Sequence, residues 1–187
     1  GKTIMPGMID THVHPSYGEV TAVEEVELYS PVEYRTLKAA LAVKKILRAG
    51  FTSVCAPGGT FNINVALRDA VNSGLIEGPR ISAGSQYMTT YNGIGSFFPS
   101  HIDHPVSSLA VLVNTKDDMV REARKAIKDG CDVVKVSGED GFGDRLFGSI
   151  TLEEMKAIVE VTHLMDKKVA IHARAGRVTA DAARAGI

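Results

Sequence analysis

Hydrophobic positions along the chain follow two alternating periods. Short apolar runs read as strands: Phe51–Ala56 (FTSVCA), Arg80–Met88, Asp132–Val136 and Lys168–Ala173 (KVAIHA). Between them, apolar residues recur at helical spacing and polar residues fill the other face. The first helix is predicted from Ser30-Pro31-Val32-Glu33, a capping box with proline at the first helical position, to about Ala49, where Gly50 stops it. A second spans Asn62 to Ser73 and ends at Gly74. A third opens at Thr115-Lys116-Asp117-Asp118, carries Met119, Ala123, Ala126 and Ile127 on one stripe, and stops at Gly130. A fourth begins at a second capping box, Thr151-Leu152-Glu153-Glu154, and runs to about Met165. A fifth covers Gly176 to Ala185. Pro6 to His14 reads as the first strand, ended by Pro15. Thr89 to about Asn114 reads as a long loop rich in Gly, Ser, Pro and aromatics.

Wholly apolar strands separated by amphipathic helices predict a parallel sheet. One phrase recurs at the helix-to-strand junctions: Arg48-Ala49-Gly50-Phe51, Asp129-Gly130-Cys131 and Arg184-Ala185-Gly186-Ile187. The chain is therefore expected to stop as it enters a sixth strand, leaving five β/α units, about five-eighths of a (β/α)8 barrel. A doubly wound five-stranded sheet is the rival, but no G-x-G-x-x-G follows the first strand.

Composition narrows the class. The 187 residues are 44% hydrophobic and 23% charged, with a net charge of −1. That is the balance of a soluble domain with one sizeable core. It argues against nucleic acid or an anionic membrane as partner. No apolar run approaches the roughly 20 residues that span a bilayer. The opening Gly1-Lys2-Thr3 carries neither a signal peptide nor an initiator Met, so residue 1 is not read as a natural start. Cys55 and Cys131, far from any C-x-x-C spacing, read as buried free thiols in a reducing, cytoplasmic compartment.

Chemistry concentrates at the strand ends, where barrel enzymes carry function. His12 and His14 sit at i, i+2 and share a strand face with Met8 and Asp10. Two neutral imidazoles on one strand make half a metal site. Lys135 lies inside Val133-Val134-Lys135-Val136, where a charged amine is costly to bury; it is neutral, modified, or snorkels at the strand end. His172 ends the run Val169-Ala170-Ile171-His172-Ala173.

PGMIDTHVH, followed by Lys135 and His172 in that order, resembles the amidohydrolase superfamily, metal-dependent hydrolases on a (β/α)8 barrel whose first strand carries P-G-x-I-D-x-H-x-H. The resemblance extends to the branch of Xaa-Pro dipeptidases and amide and urea hydrolases. There a strand-4 lysine stands in a G-x-D-x-x-K-x context, here Gly130 to Val136, and a strand-5 histidine in an A-H-A-[HR] context, here His172-Ala173-Arg174. It implies that His12, His14, a CO2-carboxylated Lys135 and His172 hold one or two Zn2+ ions, other divalent metals being open, as is a mononuclear site without Lys135. It implies strands 1–5 of the barrel in one domain over 1–187, with strands 6–8 and the flanking β-sandwich absent. Gly1 to Ile4 resembles the last edge of that sandwich. The family's strand-6 histidine and strand-8 aspartate base fall beyond Ile187, and no catalytic residue is assigned here.

Other polar residues rank lower. His101 and His104 lie in a loop between Pro99 and Pro105 that reads as a pocket cover; His101 and Tyr91 are its candidates for substrate contact. Arg174, two residues past His172, is a candidate to orient a substrate carboxylate or carbonyl, with a structural ion pair as its alternative. Gly138-Glu139-Asp140-Gly141 offers carboxylates behind a metal, and His163 reads as a solvated helix residue. The expected function is hydrolysis of a C–N bond in an amide, dipeptide, urea or carbamate, with a small-molecule substrate. The alternative is an incomplete, non-catalytic barrel piece that binds metal weakly or pairs with a partner chain, a second copy among them, through its open edge.

Overall fold

The computed structural model describes residues 1–140 and 147–187. Among the described residues seven strands and five α-helices follow in the order β1 (Met8–Asp10), α1 (Val32–Arg48), β2 (Phe51–Ala56), α2 (Ile63–Asn72), β3 (Arg80–Ala83), β4 (Tyr87–Thr89), β5 (Ala110–Leu112), α3 (Lys116–Lys128), β6 (Val133–Ser137), α4 (Leu152–Leu164), β7 (Lys168–His172) and α5 (Gly176–Ala185). A 3-10 turn at Pro15–Tyr17 and a π-helical turn at Glu25–Tyr29 precede α1. All strand pairings within the sheets are parallel, in the orders β1-β2-β3 and β5-β4-β6-β7.

The two sheets meet where one expected strand is broken in two. Arg80 to Met88 was expected to run on; it stops at Ala83 and resumes at Tyr87. The Gly84 N–H donates to the Ala56 carbonyl at 2.8 Å, and the Asp132 N–H to the Ala83 carbonyl at 2.7 Å, so the break is bonded on both sides. A Cβ on Gly84 would run into the Pro57 carbonyl, which accounts for the glycine. The long loop also holds a strand the pattern did not give. Gln86 donates to the carbonyls of Val106 and Ser108, drawing Ala110–Leu112 beside β4 as β5.

Side-chain alternation decides the layering. Val54 and Ala56 of β2 and Ile81 and Ala83 of β3 pack on α1 and α2 through Ala39, Val43, Ile63 and Leu67. Val134 and Val136 of β6 and Val169 of β7 pack on α3, α4 and α5 through Met119, Ala123, Met155, Ile158 and Val178. The helices thus cover one face. The strands are therefore not wholly apolar as expected: Ser53, Cys55, Arg80 and Ser82 line a cavity on the other face, as do Lys135 and Ser137 farther along.

The helix boundaries follow the sequence except at one cap. At α4 the Thr151 hydroxyl accepts from the Glu154 N–H while Glu154 accepts from the Thr151 N–H, the full capping box. At α1 the expected box does not form. Pro31, not Ser30, is the N-cap, so the Ser30 hydroxyl stands one residue too early, and its carbonyl is taken by Arg35 Nε instead. Both cysteines are free thiols. Among the described residues no helix is long and apolar enough to cross a membrane.

Candidate metal centre

Four expected site residues reach one cavity of about 250 Å³ at the C-terminal ends of the strands: His12, His14, Lys135 and His172. The side walls are Tyr17, Tyr87, Ile94, Phe97 and Leu109. β1 ends at Asp10, so both leading histidines lie just beyond it rather than within it. The chain stays extended there because the Val13 N–H donates to the Cys55 carbonyl at 2.9 Å, continuing the pairing with β2. Asp10 accepts the His12 N–H at 3.0 Å and closes the bend.

The two rings converge. His12 Nε2 and His14 Nε2 stand 3.1 Å apart. His14 Nδ1 lies 2.8 Å from the Gly58 carbonyl, an acceptor only, so Nδ1 carries the proton and Nε2 a lone pair aimed at His12. Tyr17 stacks flat on the His14 ring, 4.4 Å between centroids and 3° between planes, and fixes its tilt. Burial lowers the His14 pKa, and the nearby His12 and Lys135 add to this against the Gly58 hydrogen bond. Burial likewise lowers that of His12, with Lys135 and His172 contributing. Both rings are held neutral, as ligands must be.

Lys135 is 5% exposed, on β6, whose five residues are all buried. Burial lowers its pKa to about 8. It abuts His14 across Gly58: a Cβ there would lie 3.5 Å from Lys135 Cγ and 3.7 Å from His14 Cε1. The His172 pKa is lowered by burial and by Lys135, against the pull of Glu139. Its Nε2 is buried without a hydrogen-bond partner among the described residues, 3.6 Å from Glu139 Oε1. Among the described residues no group of three His, Cys, Asp or Glu side chains is drawn together closely enough to hold a metal ion, so His172 shares the cavity with His12 and His14 without closing a site around one point.

The remaining candidates fall elsewhere. Tyr91 and His101 are exposed, and neither is among the cavity's lining residues. His104 Nε2 is held at 2.9 Å from the Ala110 carbonyl, tying the loop to β5. His163 is exposed on α4. Arg174 is half-exposed and its Nε donates to Glu139 at 2.9 Å. Gly141 lies outside the described residues. Glu139 and Tyr17 matter more than the sequence suggested. An acidic Gly-rich turn looks like solvent-exposed loop, and only the position of Tyr17, three residues past His14 in a Pro-initiated turn, hinted at its stacking.

Comparisons with known proteins bear on the family and the fold. The model of the amidohydrolase family matches residues 3–187. A solved amidohydrolase is 29% identical, with a TM-score of 0.86 over 100% of this chain and 48% of its own. A Xaa-Pro dipeptidase with methionine bound in its active site is 27% identical, with a TM-score of 0.84 over 97% of this chain and 46% of its own. A prolidase complexed with N-methylphosphonate-L-proline is 26% identical, with a TM-score of 0.85 over 98% and 46%. The α/β fold is thus that of these barrel hydrolases, and the chain spans about half their length. No curated protein matches.

Proposed function

The chain belongs to the amidohydrolase family, and on that premise we propose that it supplies the metal-binding half of a hydrolase acting on C–N bonds, in amides, dipeptides, ureas or carbamates. The convergence of His12, His14, Lys135 and His172 on one cavity carries this reading. In it, β1, β2, the broken β3–β4 pair, β6 and β7 are strands 1–5 of a (β/α)8 barrel and residues 1–187 form one partial domain.

The donor set fits a divalent metal such as Zn2+. The Nε2 atoms of His12 and His14 stand 3.1 Å apart in a hydrogen bond that a bound ion would replace, a third imidazole lines the same cavity, and Lys135 has no hydrogen-bond or ion-pair partner among the described residues. Such an ion would supply Lewis acidity to a water and to the scissile carbonyl. His12 and His14 would hold it, with His172 and a carboxylated Lys135. With a pKa of about 8 the Lys135 amine is partly neutral near physiological pH. Its lone pair adds to the carbon of CO2, one proton leaves, and the carbamate formed is an anionic oxygen donor. Ile94, Phe97 and Leu109 keep water off one side of the cavity and accept an apolar group. Arg174, two residues past His172 and half-exposed, would pair with a substrate carboxylate; Tyr91 and His101, exposed in the loop and outside the cavity lining, would reach substrate only from that loop.

The test is hydrolysis of Xaa-Pro and related amides by the complete barrel protein that carries this chain. Activity should vanish with a chelator and return with Zn2+. Lys135→Ala should lose it and regain part with a short-chain carboxylic acid. Full activity in metal-free protein would contradict the proposal.

A further inference from the structure

Glu139 is fully buried two residues beyond β6, and its carboxylate is used from both sides. Oε2 accepts the backbone N–H groups of Arg174 at 2.8 Å and Ala175 at 2.7 Å. Oε1 accepts Arg174 Nε at 2.9 Å and faces His172 Nε2 at 3.6 Å. The Glu139 carbonyl accepts the N–H of Ile94, a wall residue of the cavity, at 3.1 Å. One residue thus joins the end of the Lys135 strand, the end of the His172 strand and the apolar wall.

The His172 ring lines the cavity, yet its Nε2 is buried and lacks a hydrogen-bond partner among the described residues. A buried ring nitrogen beside a carboxylate oxygen is satisfied only as N–H, and the small ring rotation that shortens 3.6 Å supplies the bond. In neutral imidazole that proton leaves the lone pair on Nδ1. We propose that Glu139 is a positioning residue that holds His172 as its Nε2–H tautomer and presents Nδ1 to the cavity, while setting the angle of Arg174 through the same carboxylate. The inference rests on the reading of His172 as a ligand. The acidic turn offers both Glu139 and Asp140; full burial and the contacts to Arg174, Ala175 and His172 single out Glu139. Outer carboxylates of this kind typically carry 10–100-fold of metal affinity.

Glu139→Gln tests it without changing shape. The two backbone N–H groups at Oε2 require the amide oxygen there, which turns the NH2 toward His172 Nε2 and Arg174 Nε. A donor now faces Nε2, so His172 should switch to the Nδ1–H tautomer. Ring-nitrogen NMR of ¹⁵N-histidine protein, metal-free, reads this directly. Zn2+ affinity, by competition with a chromogenic chelator, should fall roughly 10–100-fold. Glu139→Ala should give a mixed tautomer, and Arg174→Ala should leave Nε2–H in place, with circular dichroism checking each fold. An unchanged tautomer in folded Glu139→Gln overturns the inference, whether or not affinity falls. The ligand reading has its own arm: wild-type Zn2+ affinity in His172→Ala would overturn that reading and the inference built on it.

Discussion

At the scale of single residues, the site is a set of side chains kept uncharged by burial. Lys135 is the clearest case. Its pKa falls from 10.5 to about 8 because the ammonium is desolvated. Below pH 8 both folded and unfolded chains hold the proton, and folding bears the full desolvation cost, about 3 kcal/mol. Between about 8 and 10.5 the unfolded chain still binds a proton that the folded one has released, so stability rises with pH through this window. Lys135→Met in metal-free, CO2-free buffer should therefore be more stable than wild type at pH 7, with the gain shrinking above pH 8. Urea denaturation at pH 7 and 9.5 checks this, and a constant difference across the two would count against it. His12, His14, Lys135 and His172 were all legible in the sequence, because motif spacing and strand ends are local facts. Tyr17 was not, and of Glu139 only its place in an acidic turn that could stand behind a metal was; stacking on His14 and bridging β6 to the end of β7 depend on how distant segments meet.

At the scale of elements, period and punctuation were enough for helices and most strands. Gly50, Gly130 and Gly186, which end α1, α3 and α5, all take left-handed φ values of 91–98°. What the pattern could not show was a break inside an apolar run. Arg80 to Met88 looks continuous, and only the close approach of Pro57 to Gly84 reveals why it divides. Gly84→Ala should force these backbones apart and destabilise the fold by about 3 kcal/mol. It should also perturb the cavity, since Tyr87 follows directly. Thermal unfolding reads the first effect; a melting temperature within a degree of wild type would show that the break tolerates a side chain. The missed α1 cap has the same origin: a capping box is a matter of one-residue register, which Pro31 decides.

At the scale of the whole molecule, the helices cover one face, and among the described residues the first and last strands, β1 and β7, are each paired on one side only. Ile9 on β1 is 68% exposed, and Leu37 and Leu41 on α1 are 71% and 57% exposed. A groove of about 250 Å³ runs beside them between Val13, Lys38, Leu41 and Ile46. Since matched hydrolases are about twice as long, this apolar edge is where the rest of a barrel would pack. The 187-residue chain should bind a hydrophobic dye and self-associate with rising concentration in sedimentation; a clean monomer without dye binding would contradict that. The parallel α/β class was legible from alternation alone. The choice of barrel over doubly wound sheet came from the motif, because both architectures share the same local pattern. The central claim, a histidine-built metal centre, is tested most directly by X-ray absorption on the Zn2+-loaded chain. The expected spectrum has a first shell of nitrogen and oxygen at about 2.0–2.1 Å, with outer-shell scattering from imidazoles that weakens in His12→Ala and His172→Ala. An all-oxygen shell without imidazole scattering, unchanged by either substitution, would contradict it.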